Sequence, residues 1–219
     1  MNKFEEFFFK VPKAHLVHKW HHYFEVYDRH FQRFVGKNPV ILEIGVSEGG
    51  SLEMWNHYFG GQCRIYGLDV DPRCKLVEAD FKNVEIIVGS QDDPTTLAEI
   101  RRRVPPIDIL VDDGSHINRH LITTFKALYD HVKPGGVYLV EDLHTCYWPE
   151  YGGGLRQPGS FIEYSKGIID ELNAFHIRGV PQSPLSKTLH SLHYYDSILV
   201  VEKCLEYVHP RATRRGPGV

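Results

Sequence analysis

Five short and almost wholly apolar segments alternate with helical or turn-forming segments between residues 40 and 142. They read VILEI, CRIYGLDV, NVEIIV, IDILVDD and GVYLVED. Strands that are apolar on both faces and separated by helices are typical of a parallel sheet covered on both sides. Two further β-like runs with a turn between them, within residues 183–203, predict an antiparallel ending. The pattern therefore predicts an α/β fold with a doubly wound, mostly parallel, seven-stranded sheet and an antiparallel C-terminal strand.

The segments outside these strands predict a helical N-terminus, a loop beside the sheet edge and a free tail. Aromatic residues recur at helical spacing between residues 15 and 36, which predicts one helix packed onto the sheet or over a site. These residues are Trp20, Tyr23, Phe24, Tyr27, Phe31 and Phe34. Residues 148–190 begin glycine-rich and aromatic and then show a helical pattern, so we expect a substrate loop or lid there. Residues 210–219 are basic and rich in proline and glycine, which is typical of a flexible terminus.

Length and composition indicate one domain over residues 1–219, with residues 1–36 as its N-terminal helical segment. The formal net charge of −3 gives no electrostatic basis for binding nucleic acid or an anionic membrane. No apolar run is long enough to span a membrane, and the N-terminal residues do not fit a signal peptide. The four cysteines form no CxxC pair, so we expect reduced thiols in a cytoplasmic protein and no cysteine-bound zinc.

Glycine and polar residues follow the first three predicted strands, at the edge where an open α/β sheet binds its ligands. They are Glu43, Gly45, Gly49, Asp69, Ser90, Gln91 and Asp92. Glycines allow a ligand to approach the backbone closely, and an acidic residue that ends the second strand can accept hydrogen bonds from both ribose hydroxyls. Glu48 lies where it would repel a diphosphate, which disfavours a dinucleotide. The pattern indicates a nucleoside-containing cofactor.

Two pairs of carboxylates end the fourth and fifth predicted strands, Asp112 with Asp113 and Glu141 with Asp142. If these strands are neighbours, their ends lie roughly 5 Å apart, so carboxylates from both pairs can share one cation. Oxygen ligands without a nearby cysteine favour a hard ion such as Mg²⁺. The alternative is that each pair only caps the helix or turn that follows it.

Five segments resemble the successive motifs of class I S-adenosylmethionine-dependent methyltransferases. They are ILEIGVSEGGS, YGLDVDP, GSQDD, VDDGSH and YLVEDLHTCYW. More narrowly, the sequence resembles metal-dependent sugar O-methyltransferases related to the macrocin and mycinamicin enzymes, with cephalosporin hydroxylase-like proteins as cousins. The resemblance runs from about Lys19 to Tyr147 and more loosely to the final strands. It implies a Rossmann-like methyltransferase fold that uses S-adenosylmethionine and Mg²⁺. The larger relatives are expected to carry an extra N-terminal domain that is not seen here.

The resemblance also assigns roles to individual residues around the cofactor. Glu43 and Gly45, with Ser47 and Gly49 of the same loop, are expected at the methionine end, and Asp69 at the ribose. The adenine is expected beside Ser90, Gln91 and Asp92. Asp112 is expected near the methionine portion or in a structural hydrogen bond. If the first helix covers the cofactor, Tyr23 or Tyr27 is expected to contact it, although both residues fit equally well in the core.

For the chemistry, the resemblance implies that Asp113, Glu141 and Asp142 hold the metal and that His116 is the general base. His144 is the alternative base. In the expected mechanism, a sugar or diol chelates the metal through adjacent hydroxyls, His116 removes one proton, and the oxygen attacks the sulfonium methyl group. Asp113 and His116 are thus the expected catalytic pair.

The expected function is a Mg²⁺-dependent O-methyltransferase that acts on a sugar hydroxyl of a glycosylated natural product or related saccharide. Tyr147, Trp148 and Tyr151 either stack on the sugar or anchor their own loop. Relatives often self-associate, so a homo-oligomer is one expectation for this chain. Two other classes remain open: a metal-dependent hydroxylase or hydrolase, and a non-catalytic protein that binds S-adenosylmethionine.

Overall fold

A single mixed sheet organises the computed structural model, which describes residues 1–216. Its seven strands lie in the order β3-β2-β1-β4-β5-β7-β6. The strands are β1 (Val40–Ile44), β2 (Arg64–Asp69), β3 (Val84–Val88), β4 (Ile107–Asp112), β5 (Val132–Val140), β6 (Leu189–Tyr195) and β7 (Ile198–Lys203). The first five are parallel, and β7 lies antiparallel between β5 and β6. The predicted fold class is confirmed.

Helices cover both faces of the sheet. They are α1 (Lys3–Lys10), α2 (Tyr23–Phe31), α3 (Gly50–Tyr58), α4 (Pro94–Arg103), α5 (Asn118–Leu128) and α6 (Phe161–Leu172). One core lies between the sheet and the first three helices, and a second lies on the opposite face against the other three. Ile41 belongs to the first core and the next residue, Leu42, to the second, as strand geometry requires. This explains why the strands are apolar at successive positions.

The single helix predicted for residues 15–36 is wrong at its N-terminal end. Within that range only Tyr23–Phe31 is α-helical. A separate helix forms at Lys3–Lys10, inside the predicted helical segment 1–36, where Asn2 and Glu5 make a capping box. Residues 11–22, called the strap below, contain no helix. Within the strap, Leu16, His18 and Trp20 are exposed or half-buried while Val17 and the Lys19 ammonium point inward. That alternation is typical of extended chain, not of a helix.

The fourth and fifth strands are adjacent in the sheet, as expected, because β4 pairs directly with β5. Asp112 is in register with Val140, and the amide of Glu141 donates to the carbonyl of Asp112 at 2.9 Å. On the other side, the amide of Asp113 donates to the carbonyl of Ile44 in β1 at 2.9 Å. The residues that follow β1, β4 and β5 therefore meet at one edge.

The region after β5 is more ordered than a plain loop. It contains short 3₁₀ turns at Leu143–Tyr147 and Pro149–Tyr151 and then α6. Residues 210–216 are exposed and form no helix or strand, and the rest of the predicted tail, residues 217–219, lies outside the described residues. Among residues 1–216, none of the helices has both the length and the apolar composition needed to cross a membrane. All four cysteines are free thiols.

A polar cluster joins α2 to the C-terminal strands. Glu202 of β7 accepts a hydrogen bond from His30 Nδ1 at 2.9 Å and from Arg33 at 2.6 Å. The other ring nitrogen of His30 lies 2.9 Å from the hydroxyl of Tyr195. These contacts, led by the hydrogen bond from His30, lower the pKa of Glu202 to about 2. The cluster therefore positions the helix that reaches over the acidic edge of the sheet.

We expect Glu202→Gln to lower the free energy of unfolding at pH 7 by about 1–2 kcal/mol, because the ion pair and part of the hydrogen bonding are lost. A carboxylate whose pKa is lower in the folded state stabilises the protein above its unfolded pKa and loses that effect as the pH falls. The deficit of the variant should thus be constant above about pH 4.5 and should shrink towards pH 2. Urea unfolding between pH 3 and pH 7 measures it, with the exposed Glu206→Gln as control. A deficit independent of pH would contradict this account.

Candidate active site

A glycine loop after β1 brings the first and fourth strands together at the edge of the sheet. Gly45 has φ 91°, and a Cβ at this position would lie 2.0 Å from the carbonyl oxygen of Asp113. Gly49, with φ 82°, precedes the first turn of α3. A residue with a side chain would be strained at both positions. The loop can therefore lie directly against the acidic turn that follows β4.

Three cavities that share lining residues lie along this edge. The first, of about 140 Å³, is lined mainly by residues that follow β1, β2 and β3. It shares Gly45, Asp69 and Gly114 with a second cavity of about 300 Å³ over the glycine loop. The second shares Lys19 and Asp113, among others, with a third of about 110 Å³ at the acidic residues. This row of cavities leads from the end of β3 to the ends of β4 and β5.

Asp69 lines the first and second cavities and also orders the glycine loop. Its Oδ2 accepts hydrogen bonds from the amides of Val46 and Ser47, both at 2.9 Å. The loop conformation and the position of this carboxylate are thus set together. Ser47, at φ 48°, and Gly49 lie in the same loop, and Ser47 lines the second cavity.

The three residues predicted beside an adenine differ in their hydrogen-bond partners and in whether their side chains line a cavity. Ser90 lines the first cavity and its hydroxyl donates to Asp92 at 2.7 Å. The Gln91 side chain is buried and donates to Asp112 and Thr124. The carboxylate of Asp92 also lies 3.0 Å from His120 and lines none of the three cavities. Gln91 still lines the first cavity, whereas Asp92 is held by structural contacts outside it.

Asp112 is also corrected from a cofactor contact to a structural residue. It is fully buried, accepts from Gln91 at 3.0 Å and lies 3.4 Å from the hydroxyl of Tyr138. Burial is the main cause that raises the pKa of its carboxyl to about 7. Of the two alternatives for this residue, the structure shows the hydrogen-bonded one.

Lys19 is the main residue that sequence reasoning did not identify. Its ammonium lies 2.5 Å from Asp113 Oδ2, 2.7 Å from Glu141 Oε2 and 4.0 Å from Glu43 Oε1. The side chain is 4% exposed. Burial disfavours the charged form, but these carboxylates outweigh that effect and raise the pKa of Lys19 well above its usual value. Nothing in the local pattern HLVHKW distinguishes this lysine from a solvent-exposed one.

The two tyrosines predicted as cofactor contacts instead hold the acidic pair after β5. The hydroxyl of Tyr23 donates to Asp142 Oδ1 at 2.6 Å, and that of Tyr27 donates to Glu141 Oε1 at 2.7 Å. Tyr27 is completely buried and lines none of the three cavities. The second helix thus reaches over the acidic residues. Tyr23 lines the third cavity, whereas the buried Tyr27 fits the core alternative.

Glu43 lies beneath the glycine loop and does not line the cavities, which corrects its predicted direct contact with a ligand. Its Oε2 accepts from Ser51 and from the indole of Trp55, whereas its buried Oε1 has no hydrogen-bond partner among residues 1–216 and faces Lys19. Burial, opposed by Lys19, raises the pKa of Glu43 to about 7. The residue contributes to the charge around Lys19.

His116 faces the acidic residues from the segment between β4 and α5. It precedes α5 and has a left-handed backbone with φ 58°. Its Nε2 lies 3.9 Å from Asp113 Oδ1 and 3.8 Å from Asp142 Oδ2. His144, the alternative base, lies 3.0 Å from the hydroxyl of Ser197 and lines none of the three cavities. The geometry favours His116 as the residue able to move a proton at the cavity.

The acidic residues fit a divalent cation better than they fit helix caps. The N-cap of α5 is Ile117, and neither that cap nor Asp142, which precedes the next 3₁₀ turn, makes a side-chain capping bond. Asp113, Asp142 and His116 instead bring ligand atoms within 4.8 Å of one another. Three carboxyl groups lie within 4.0 Å of the ammonium of a single lysine, so acidic groups outnumber the cation that they share. Hard oxygen donors with excess negative charge suit Mg²⁺.

Aromatic rings border the outer side of the acidic residues. His144 lies between Trp20 of the strap and Trp148, with ring centres 5.9 Å and 4.9 Å away. Tyr151 follows at 6.0 Å from Trp148 and 6.3 Å from His116. Trp20 is 55% exposed and Trp148 is 44% exposed. We call Trp20, His116, His144, Trp148 and Tyr151 the aromatic rim.

We expect Tyr27→Phe to lower the free energy of unfolding by about 1–3 kcal/mol, because Glu141 Oε1 would lose its hydrogen bond in a buried position. Chemical denaturation near pH 7 measures the change. The matched control is Tyr58→Phe, whose hydroxyl donates to the less buried Asp28. Equal and small losses in both variants would show that Glu141 does not depend on Tyr27.

Comparison with known proteins relates the chain to sugar-modifying methyltransferases. No family model matches the sequence. The chain is 38% identical over 211 residues to demethylmacrocin O-methyltransferase of Streptomyces fradiae, a match that covers 89% of this chain and 52% of that protein. It is 38% identical over 190 residues to mycinamicin VI 2''-O-methyltransferase of Micromonospora griseorubida, covering 81% of this chain and 47% of that protein.

A solved structure gives the same result. MycE methyltransferase from the mycinamycin biosynthetic pathway, in complex with Mg, SAH and mycinamycin VI, matches with a TM-score of 0.79 and 34% identity. The match covers 92% of this chain and 52% of that one. The chain thus spans about half the length of the relatives it matches. By sequence and by fold, the chain is a homologue of the macrocin and mycinamicin sugar O-methyltransferases and shares their methyltransferase fold.

Proposed function

We propose that this protein is an S-adenosylmethionine-dependent and Mg²⁺-dependent O-methyltransferase that acts on a sugar hydroxyl of a glycosylated natural product. The observation that carries the proposal is the row of three cavities with shared lining residues, which leads from an apolar slot at the ends of β1 to β3 to a cluster of carboxylates facing a histidine. The homologues are named O-methyltransferases, and the MycE structures contain Mg and SAH. A hydroxylase or hydrolase would leave the slot and the glycine loop without a role.

The first cavity suits the adenosine of the cofactor. Its walls include the apolar side chains of Ile44, Leu68 and Val70, which favour a planar base, and it is bordered by the Ser90 hydroxyl. Asp69 lies where the first and second cavities join, a position suited to the ribose hydroxyls.

The second cavity suits the methionine portion of the cofactor. Gly45, Ser47 and Gly50 line it with little side-chain bulk, and Gly49 shapes the same loop. This cavity ends at Asp113, His116 and Asp142. The reactive end of the cofactor would thus lie beside the acidic residues and the proposed base.

Asp113, Glu141 and Asp142 are the proposed Mg²⁺ ligands. When bound, the cofactor supplies the methyl group and the metal makes the acceptor hydroxyl more acidic. His116 Nε2 faces the same space and takes the hydroxyl proton. The nearby carboxylates of Asp113 and Asp142 stabilise the imidazolium that results. Positioning of the acceptor against these groups is the main contribution of the protein.

The aromatic rim provides exposed ring surface for the methyl acceptor. Trp20 and Trp148 expose ring surface beside Asp142, the side on which an acceptor hydroxyl must approach. Exposed aromatic rings suit the apolar face of a sugar and an attached polyketide or macrolide, because they combine apolar area with polar edges. The curated relatives are named for macrolide and tetracenomycin glycosides, which have this chemistry.

Binding and turnover measurements test the proposal. Calorimetry should show that S-adenosylhomocysteine binds, and a screen of glycosides with S-adenosylmethionine should reveal methyl transfer that EDTA abolishes. Asp113→Asn should keep the S-adenosylhomocysteine affinity within roughly tenfold while removing Mg²⁺-dependent turnover. Absence of binding of either cofactor form would refute the methyltransferase proposal, and full turnover of Asp113→Asn would refute the metal role.

A paired substitution tests the base. His116→Gln should lower kcat by about 10²–10⁴-fold, whereas His144→Gln should change it less than roughly tenfold, because only His116 faces the cavity. Steady-state kinetics with one glycoside at saturating cofactor compares the two variants. The opposite ranking would assign the base to His144.

A further inference from the structure

The ammonium of Lys19 lies between two carboxylates that the proposed function assigns to the metal. It is 2.5 Å from Asp113 Oδ2 and 2.7 Å from Glu141 Oε2. The second oxygen of Glu141 already accepts from Tyr27 at 2.7 Å. Each oxygen of Glu141 therefore accepts one hydrogen bond, and a metal at Oε2 would have to share its position with the ammonium of Lys19, whereas Oε1 keeps a free lone pair beside Tyr27.

One cation at a time can occupy the space between Asp113 Oδ2 and Glu141 Oε2. Mg²⁺ requires ligand distances of about 2.0–2.1 Å and a nearly regular octahedron. An ammonium nitrogen in hydrogen-bond contact with both oxygens fills that position, and two unscreened cations there would repel strongly. A metal at Asp113 Oδ2 and Glu141 Oε2 must therefore replace Lys19, whereas a metal bound only by the other oxygens of these carboxylates and by Asp142 need not.

The strap that carries Lys19 is held mainly by contacts at the protein surface. The amides of Ala14 and His15 each lie 3.1 Å from the carboxylate of Glu53, and the carbonyl of Leu16 packs against Gly50, where a Cβ would lie 2.0 Å away. Val17 is the strap residue that is buried in the hydrophobic core, and Val11 packs against that core. Other contacts are ion pairs or ring contacts of histidine, lysine and tryptophan side chains. Exposed contacts of this kind are typical of the low-stability parts of a protein. The bonds from Lys19, whose side chain is 4% exposed, add a buried attachment to them.

We propose that Lys19 is a tethered cation that holds Asp113 and Glu141 together in the metal-free protein, and that metal binding expels it and loosens the strap. The proposal rests on the proposed metal site. Leu16, His18 and Lys19 also line the second cavity, so release of the strap changes the opening over the glycine loop. Metal binding and access for the cofactor are then coupled through residues 11–22.

Hydrogen exchange of the wild-type protein tests this directly. Saturating Mg²⁺ should speed exchange of the strap amides, residues 11–22, by roughly tenfold or more, while the amides of β1 and β4 stay protected. If Mg²⁺ binds by calorimetry but the strap amides exchange at the same rate or more slowly, the proposal is overturned and the metal binds without expelling Lys19. This measurement needs no variant and no activity.

A matched pair of variants tests the competition. Lys19→Met removes the tethered cation, whereas Lys13→Met removes an exposed lysine of the same strap whose ammonium donates a hydrogen bond to the carbonyl of Val11. Lys19→Met should bind Mg²⁺ roughly tenfold or more tightly than the wild type, and its strap should exchange rapidly with or without the metal. Lys13→Met should match the wild type.

The outcomes separate this proposal from the proposed function. Equal or weaker Mg²⁺ affinity of Lys19→Met, with binding retained in the wild type, overturns the role of Lys19 and leaves the metal-dependent function standing. Failure of Mg²⁺ to bind to the wild type and to both variants overturns the metal site itself. A thermal melt of each variant confirms that the comparison is made between folded proteins.

Discussion

The site depends on a cation that balances the charge of several carboxylates. Parallel strand pairing places these carboxylates close together. Register between β4 and β5 places Asp113 and Glu141 side by side, and β1 brings Glu43 to the same region. In a partly dry environment such charges are costly unless a cation is near. Lys19 supplies that cation in this structure, and Tyr23 and Tyr27 donate hydrogen bonds to Asp142 Oδ1 and Glu141 Oε1.

This requirement explains why the N-terminal segment belongs to the fold. The aromatic core between α1, α2 and α3 fixes α2, with Phe4 stacked on Tyr58 at 3.8 Å and set edge-on against Trp55 and Tyr27. The opposite side of α2 is tied to the C-terminal strands through Glu202. Apolar packing on one side of α2 and an ion pair on the other thus fix the position of this helix. The tyrosine hydroxyls of α2 are thereby placed within hydrogen-bond distance of the carboxylates.

The sequence was sufficient to predict features that depend on short-range patterns. Apolar runs located all seven strands, and the DDGSH and EDLH segments located the acidic edge, because each strand end delivers its polar residues to a place that topology determines. The failures concern side chains whose partners are distant in sequence. Lys19 meets Asp113 across 94 residues, and no local pattern marks such a pairing. The predicted helix begins too early because Trp20, three residues before Tyr23, suits the helical spacing and equally suits an extended segment with alternating burial.

Asp112 and Asp113 show how two identical neighbours acquire different tasks. Strand geometry turns successive side chains to opposite faces, so Asp112 enters the dry core against Gln91 and Tyr138 while Asp113 faces Lys19 and the cavity. Burial raises the pKa of Asp112 to about 7 and that of Glu141 to about 8, although Lys19 opposes the rise at Glu141. Asp112 has the neutral partners Gln91 and Tyr138, whereas Asp113 and Glu141 share Lys19. The demand for a cation therefore arises beside Asp113, Glu141 and Asp142. A single ammonium balances only part of that charge, which is why the same residues that hold Lys19 also suit a divalent ion.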